Sequence, residues 1–371
     1  MMTQQRLISL DMLRGLAMAG MILVNNPGSW SHIYVPLEHS VWNGLTPTDL
    51  VFPFFVFAMG MAMGFSTKNL TASRASYLRK VMKRSVLLFV IGLLLTLLGR
   101  WLNTGELCFS QLRVMGVLQR LSLSYLVVAL IVRRVKGVPT MTFVVVALLS
   151  GYWVLLLLGH GFDFSANNIV AIVDGWLLGE SPLYIEHLSD GTPIAFDPEG
   201  LLSTIPCVAQ VLLGYICSRL LCASQELPRR ILRLAVIGAL LLLSGLLLSY
   251  MCPLNKKIWS PTFVMVTSGY ALLAWTVMAW FADLKKQSRW VYPFVAFGSN
   301  ALVLYVFSGL ALKLIGLIKI NTVPLPEAFY NLLVSLLSGK CIASLIFALF
   351  YVVCCFVLAH GLYKRNIFIK L

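Results

Sequence analysis

Residues 48–66 read TDLVFPFFVFAMGMAMGFS, a stretch with a single charge and enough length to cross a membrane. A membrane-crossing helix needs about 20 mostly apolar residues. Backbone inside lipid must satisfy its own hydrogen bonds, and this stretch does not alternate as a barrel strand does. Ten such stretches occur, at 10–26, 48–66, 83–101, 114–132, 139–158, 200–221, 231–250, 261–282, 292–316 and 341–361. The sequence therefore predicts an all-α polytopic integral membrane protein with about 10 transmembrane helices.

The composition of the whole chain supports this fold class. Of 371 residues, 59% are hydrophobic and only 12% are charged, and the mean hydropathy is +0.86. Soluble domains carry about 25% charged residues. So little charge cannot cover a water-facing surface, which excludes a soluble enzyme, a disordered chain, a collagen-like fibre and a secreted disulfide scaffold.

The net charge of +15 has a topological explanation. With the N-terminus inside, twenty of the 29 Lys and Arg residues fall in the short segments predicted to face the cytoplasm. Cytoplasmic loops of membrane proteins carry such an excess. We therefore expect both termini in the cytoplasm and no nucleic-acid partner. A cleaved signal peptide at residues 1–26 is the rival interpretation, but Asp11 and Arg14 interrupt its apolar run.

A single membrane domain over residues 1–371 is expected, with outer loops at 27–47 and 159–199. The second loop holds seven acids and neither Lys nor Arg. A shorter apolar piece, 328–338, is expected to be re-entrant or interfacial. The eight cysteines form no CxxC pair and no metal-ligand spacing, so no metal is predicted. Cys108 and Cys252 are the two cysteines predicted outside, where they either form a bridge, within or between subunits, or are inert.

Ionisable groups at membrane depth are costly and are therefore functional candidates. Asp11 and Arg14 lie three apart on one helix face, where they either neutralise each other or together present Arg14 to an anion. Arg120, which follows Gln119, needs an acidic partner or an anionic ligand. Asn300 lies where Gly298-Ser299-Asn300 breaks the ninth stretch, and it also requires a polar partner.

The first outer loop contains the groups that favour catalysis. His39 precedes Trp42-Asn43-Gly44 and is a candidate general base or nucleophile. Asp49 either places a favourable charge at the helix start or orients His39 through one imidazole nitrogen. Asn25, at the end of the first stretch, either stops the helix or donates to an oxyanion.

Two further outer segments carry polar candidates. Asp197 and Glu199 precede the sixth stretch, where they either cap its helix or bind a cationic or polyhydroxylated substrate. Asn255, Lys256, Trp259 and Ser260 lie in a turn before the eighth stretch.

Several long motifs occur in a fixed order over nearly the whole chain. They are RLISLDMLRG (6–15), HSVWNGLTPTDLVFPFFVF (39–57), VLQRLSLSY (117–125), AFDPEGLLSTI (195–205), LNKKIWSPTF (254–263) and SNALVLYV (299–306). In this pattern the chain resembles the bacterial branch of the heparan-α-glucosaminide N-acetyltransferase family of transmembrane acyltransferases.

The resemblance implies a reaction and its residues. Such enzymes take acetyl from cytosolic acetyl-CoA and deliver it to the amine of a terminal glucosamine on the far side of the membrane. The family's essential histidine falls on His39 and its nearby asparagine on Asn25. The segment between them is three residues longer here than in the lysosomal enzyme. The resemblance further implies a homodimer, surrounded by lipid, in a bacterial cytoplasmic membrane.

These inferences predict three groups of site residues. The catalytic group is His39, Asn25 and Asp49. The residues predicted to bind acetyl-CoA are Arg14, Gln119, Arg120, Trp259, Ser260 and Asn300. The residues predicted to bind the amino-sugar or glycan acceptor are Trp42, Asn43, Asp197, Glu199, Asn255 and Lys256.

Two catalytic routes and two rival functions stay open. In the direct route, which we favour because a tunnel can bring both substrates to one histidine, His39 deprotonates the amine and the amine attacks the thioester. In the ping-pong route His39 first becomes acetyl-imidazole. The rival functions are an acyltransferase with another cell-envelope acceptor and a sugar permease, although the lack of an internal repeat argues against the permease.

Overall fold

The computed structural model describes residues 7–66, 73–105, 112–179, 183–188, 191–222, 226–287 and 290–369. Nearly all of the regular structure in these ranges is helical. The helices are α1 Ile8–Asn25, α2 Val51–Phe65, α3 Arg74–Thr104, α4 Val117–Arg134, α5 Val138–Leu158, α6 Ile169–Leu178, α7 Thr204–Leu221, α8 Leu227–Leu248, α9 Pro261–Ala279, α10 Tyr292–Ser299, α11 Ala301–Ile315, α12 Leu325–Leu337 and α13 Lys340–Lys364.

Two short antiparallel hairpins complete the regular structure of these ranges. Strand β1, Ile185–His187, pairs with β2, Pro193–Ala195, and β3, Lys319–Ile320, pairs with β4, Val323–Pro324. Short 3₁₀ turns at Val35–Leu37 and Pro47–Leu50 lie between α1 and α2. A π-helical turn, Trp280–Leu284, extends α9.

The helices confirm an all-α polytopic membrane protein. In the described ranges, eight single helices are long and apolar enough to cross a membrane, and the pair α10–α11 makes a ninth span if it is counted as one. That pair is bent by 82° at Asn300, where the sequence predicts a break. The remaining predicted stretch, 114–132, corresponds to α4, a helix of 18 residues that carries Arg120, Arg133 and Arg134 and is therefore less apolar.

Four helices form the buried centre of the bundle. Helices α1, α2, α7 and α9 are largely covered by protein, whereas α3, α5, α8 and α13 expose most of their apolar surface. Exposed apolar side chains on these outer helices are the surface that lipid would cover.

Contacts between distant connections define one end of the bundle. The α1–α2 connection contacts the α5–α7 and α8–α9 connections, and we call this end the loop face. The opposite end, with the α2–α3, α4–α5 and α7–α8 connections, is the basic face. The sequence predicts that the basic face is cytoplasmic. Cys108, one of the two cysteines considered for a disulfide, lies outside the described residues, and Cys252 is a buried free thiol.

Close packing of α2 against α7 depends on two glycines. A Cβ built on Gly60 would lie 2.0 Å from the carbonyl oxygen of Val211, and one on Gly214 would lie 2.2 Å from that of Phe57. Small residues let membrane helices approach to backbone contact. This contact fixes α2, the helix that begins directly after Asp49.

We predict that Gly60→Ala destabilises the fold, because the new methyl group must push α2 and α7 apart. Overpacking of this kind costs about 1–3 kcal/mol. The matched control is Gly151→Ala on α5, where a Cβ meets no atom within 4 Å. The thermal unfolding midpoint in detergent should fall for the first variant and stay unchanged or rise slightly for the second. Equal midpoints would contradict the role given to the α2–α7 contact.

Candidate active site

His39 and Asp49 form a hydrogen-bonded pair on the loop face. His39 Nδ1 lies 2.7 Å from Asp49 Oδ1. The imidazole is 44% exposed, whereas the carboxylate is fully buried. Since the carboxylate is an acceptor, the neutral imidazole carries its proton on Nδ1 and its lone pair on Nε2. The sequence predicts that Asp49 orients His39, and the structure places the two side chains in that contact.

Local backbone bonds hold the second oxygen of Asp49. Oδ2 accepts hydrogen bonds from the backbone N–H of Ser40 at 3.2 Å and of Thr46 at 3.2 Å, and from the Thr46 hydroxyl at 3.1 Å. Thr46 and Asp49 thereby form a capping box at the start of the Pro47–Leu50 turn. The capping box and the contact with His39 are compatible with both interpretations of Asp49, and its role in orienting a catalytic His39 stays a prediction.

Lys256 brings a cation to the same pair. Its Nζ lies 2.9 Å from His39 Nδ1 and 3.4 Å from Asp49 Oδ1. Lys256 is on the α8–α9 connection, 217 residues from His39. Burial outweighs the attraction of Asp49 and Glu199 and lowers the pKa of the Lys256 ammonium below its usual value.

The loop that carries His39 is docked on two other connections. Gly44 donates its N–H to Leu254 O at 2.8 Å, and Asn255 Nδ2 donates to Asn43 Oδ1 at 3.1 Å. Trp42 donates from Nε1 to Phe162 O at 2.7 Å and stacks on Phe164 at a centroid distance of 4.6 Å. The position of His39 therefore depends on all three connections. Contacts of Trp42, Asn43 and Asn255 with an acceptor stay a prediction.

A buried ion cluster lies behind the pair. Arg113 donates to the Asp197 carboxylate from Nε at 2.8 Å and from Nη2 at 2.6 Å, and it also contacts Glu199. Burial alone would raise the pKa of the Glu199 carboxyl, but the Arg113 guanidinium outweighs it and holds that pKa below its usual range. Sequence reasoning missed Arg113, whose partners are 84 and 86 residues away.

This cluster changes the role expected of the acidic loop. The Asp197 carboxylate is fully buried against Arg113, and Glu186 pairs with Lys257 at 2.9 Å. Asp174 accepts the N–H of Leu202 at 2.9 Å, and burial raises its pKa to about 6. These acids of the described loop residues bind groups of the protein itself, so they build the loop face. Binding of an acceptor by Asp197 and Glu199 stays a prediction.

Arg120 lies beneath the loop face. Its guanidinium is fully buried, donates to Gly200 O at 3.3 Å and to the Ser203 hydroxyl, and lies 5.0 Å from the ring of Trp259. Trp259 in turn donates to Gln210 Oε1 at 3.0 Å. In the described residues these contacts of Arg120 are with neutral acceptors and an aromatic face, and binding of an anionic ligand by Arg120 stays a prediction.

Other predicted site residues have structural contacts away from His39. Ser260 caps α9 by accepting the N–H of Phe263 at 3.3 Å. Asn300 holds the C-terminal segment by donating to Ile367 O and accepting from the N–H of Ile369, both at 2.9 Å. Gln119 packs against Gly92 of α3. Asn25 is exposed at the end of α1, and no contact with His39 is seen in the described residues. Functional roles for these four stay predictions.

An elongated cavity of about 560 Å³ penetrates the bundle below the site. It follows α1 from Leu10 to Met21, a rise of about 16 Å, and follows α2 from Ser66 up to Phe55. Phe55 is six residues beyond Asp49, or about 9 Å of helix. The cavity therefore extends from the basic face to the vicinity of the His39–Asp49 pair.

The charged lining of the cavity lies towards the basic face. Arg14 and Arg84 both line it, with Arg14 3.7 Å from Asp11. Both roles weighed for Arg14 are thus compatible with the structure, since it pairs with Asp11 and also faces the cavity. Of the residues predicted to bind the donor, Arg14 alone is among the described cavity-lining residues, and sequence reasoning missed Arg84, Tyr77, Tyr125, Tyr215 and Tyr305.

This arrangement can perform proton transfer next to a buried channel. The pair presents an imidazole on the loop face, and the cavity is lined from the basic face up to Phe55. In the described residues there is no group of three or more His, Cys, Asp or Glu side chains able to hold a metal ion.

Comparison with known proteins identifies the class. Residues 7–364 match the acyltransferase-domain family, so the chain belongs to that family. Its relatives include the heparan-alpha-glucosaminide N-acetyltransferases of Mus musculus and Homo sapiens, each 30% identical over 354 residues that cover 81% of this chain. The chain spans about half the length of these relatives, 53% and 52%.

We predict that Arg113→Met lowers the free energy of unfolding by about 3 kcal/mol at pH 7, since removing one partner leaves buried carboxylates uncompensated. In the wild type, the lowered pKa of Glu199 contributes stability that is lost on acidification. In the variant, protonation of the unpaired carboxyls relieves a penalty. The difference in stability should therefore shrink from pH 7 to pH 4.

Arg229→Met, at an exposed position near the start of α8, is the control and should change stability little at either pH. Thermal or denaturant unfolding in detergent measures both variants. A deficit of Arg113→Met that grows on acidification would contradict the ion cluster described here.

Proposed function

We propose that this chain is a transmembrane N-acetyltransferase. It moves acetyl from cytosolic acetyl-CoA to the amine of a terminal glucosamine or related amino sugar on the other side of the membrane. The observation that carries the proposal is the His39–Asp49 pair on the loop face, above a cavity that extends from the basic face to Phe55, about 9 Å of helix from Asp49. The kinship with two N-acetyltransferases supports the acyl group and the class of acceptor.

The donor enters from the basic face in this proposal. CoA is a polyanion, and the basic face attracts it over distance. Arg14 and Arg84 at the cavity meet its phosphates, and the apolar remainder of the cavity takes the pantetheine arm. The cavity is elongated rather than round, which suits a chain-like ligand whose reacting end must reach the far side.

The acceptor amine meets His39 on the loop face. Nε2 of His39 takes the proton from the amine, and the amine nitrogen attacks the thioester carbonyl. The C–N bond forms, the C–S bond breaks, and the CoA thiolate takes up the proton. Asp49 stabilises the imidazolium that exists between the two proton transfers. Asn25 is the proposed donor to the oxyanion, for which its exposed side chain must turn towards His39.

The two routes differ in a measurable intermediate. We keep direct transfer as our expectation, because the cavity ends close enough to His39 for one histidine to serve both substrates. Incubation with acetyl-CoA alone decides between the routes. Acetyl-His39 that accumulates at a rate matching turnover would establish the ping-pong route instead.

We predict that His39→Gln abolishes transfer of labelled acetyl from acetyl-CoA to glucosamine-terminated oligosaccharides, because no other described group replaces its free nitrogen. Binding of CoA should persist, since the cavity is unchanged. The control is His160→Gln, at an exposed position of the α5–α7 connection. Transfer at the wild-type rate by His39→Gln would contradict the assignment of His39 as the base.

Ala62→Phe tests the donor channel separately. Ala62 lines the cavity, and a phenyl group there fills space that the pantetheine arm needs. We expect the KM for acetyl-CoA to rise about tenfold or more, which corresponds to a loss of about 1.4 kcal/mol of binding free energy. The KM for the acceptor should stay unchanged. Ala147→Phe on the exposed surface of α5 is the matched control. An unchanged donor KM would show that acetyl-CoA does not use this cavity.

A panel of acceptors identifies the natural one. Mass spectrometry of products from labelled acetyl-CoA separates amino sugars from other cell-envelope acceptors, including those with hydroxyl groups. A sugar permease would instead accumulate substrate without acetyl-CoA. We further propose a homodimer in a bacterial cytoplasmic membrane, which light scattering and membrane fractionation would test.

A further inference from the structure

The Lys256 side chain occupies an unusual position for a lysine. Its Nζ lies 2.9 Å from His39 Nδ1, 3.4 Å from His39 Nε2 and 3.4 Å from Asp49 Oδ1. The side chain is only 17% exposed. A cation is thus held against the imidazole that serves as the base and against the carboxylate that orients it.

The donors and acceptors of each group define the contact between Lys256 Nζ and His39 Nδ1. With Nδ1–H donating to Asp49 Oδ1 at 2.7 Å, Nδ1 has no lone pair left for a second donor. An ammonium group only donates. The 2.9 Å approach of Nζ to Nδ1 therefore joins two donors, and the hydrogen-bond acceptor that they share is Asp49 Oδ1.

The two charges act on the imidazole in opposite directions. The Asp49 carboxylate favours the imidazolium, and a cation at the distance of Lys256 disfavours it. The other charged groups nearby are Glu38 on the same loop and Glu199, which is paired with Arg113. Arg120 lies below and adds positive potential. A base has to be neutral before it can accept a proton. The effect of Lys256, which opposes that of Asp49, therefore favours the form of His39 that can act as a base.

We propose that Lys256 is a positioning residue that balances the charge of Asp49 and so keeps His39 neutral, with its proton on Nδ1 and its lone pair on Nε2. The inference rests on the proposed function for its effect on turnover, but its effect on the protonation of His39 is independent of any substrate. It differs from the acceptor-binding role that the sequence suggests for Lys256, because it acts through His39.

Lys256→Met removes the cation, and Lys256→Arg keeps it. The neighbouring Lys257 pairs with Glu186 at 2.9 Å and provides the matched control, Lys257→Met. The histidines are labelled with ¹³C in full-length protein in detergent, and the His39 signal is assigned by its loss in His39→Gln. Its protonation is then followed by NMR as a function of pH, without donor or acceptor.

We expect the His39 titration in Lys256→Met to move to higher pH by about 1–3 units, because the carboxylate then acts unopposed. Lys256→Arg and Lys257→Met should titrate like the wild type. In the transfer assay, the acidic limb of kcat/KM should move to higher pH by the same amount, since the base must be neutral to act.

The outcomes separate the two claims. A His39 titration that is unchanged in Lys256→Met overturns the inference, and an altered acceptor KM with an unmoved acidic limb would assign Lys256 to acceptor binding instead. A shifted titration in a protein that transfers no acetyl to any acceptor would support the charge balance and contradict the proposed function.

Discussion

The buried carboxylate of Asp49 is the interaction on which the loop face depends. One oxygen accepts from Ser40 and from both the N–H and the hydroxyl of Thr46, which fixes the turn into α2. The other lies 2.7 Å from the His39 imidazole and 3.4 Å from the Lys256 ammonium. A fully buried charge is stable only when its partners are in place. The same carboxylate therefore ends the α1–α2 loop, starts a helix and sets the tautomer of the base.

The membrane explains why the charges are arranged in this way. Ionic groups are costly in a bundle surrounded by lipid, so they occur as compensated sets: Arg113 with Asp197 and Glu199, and Lys257 with Glu186 on the loop face, and Arg14 with Asp11 near the basic face. Between the two faces the cavity is mostly apolar and takes its charged lining from Arg14 and Arg84, together with Asp11, which pairs with Arg14. A molecule with an anionic head and a long neutral arm fits that gradient, and the residues that would react with its far end lie beyond the cavity tip.

The sequence predicts features that are local along the chain and misses those that join distant segments. Apolar stretches locate the spans, and the break at Asn300 is read correctly because Gly298-Ser299-Asn300 interrupts a helix by itself. The contact between His39 and Asp49 is predictable, since only ten residues separate them. Arg113 is missed because no residue near it in sequence indicates that its partners lie on the loop before α7. The cavity is missed for the same reason, since its walls come from several helices. Trp259, Ser260 and Asn300 look like donor-binding groups in the sequence, whereas their visible contacts cap helices and clamp segments.

The central claim is that acetyl crosses the membrane between two faces of one bundle. Proteoliposomes with the basic face outside, selected by protease accessibility, test it most directly. Labelled acetyl-CoA is added outside and a glucosamine-terminated acceptor is trapped inside. Labelled N-acetyl product is expected in the lumen, and none when the acceptor is outside with the donor. Product formed only when both substrates are on the same side, or no product in either arrangement, would contradict it.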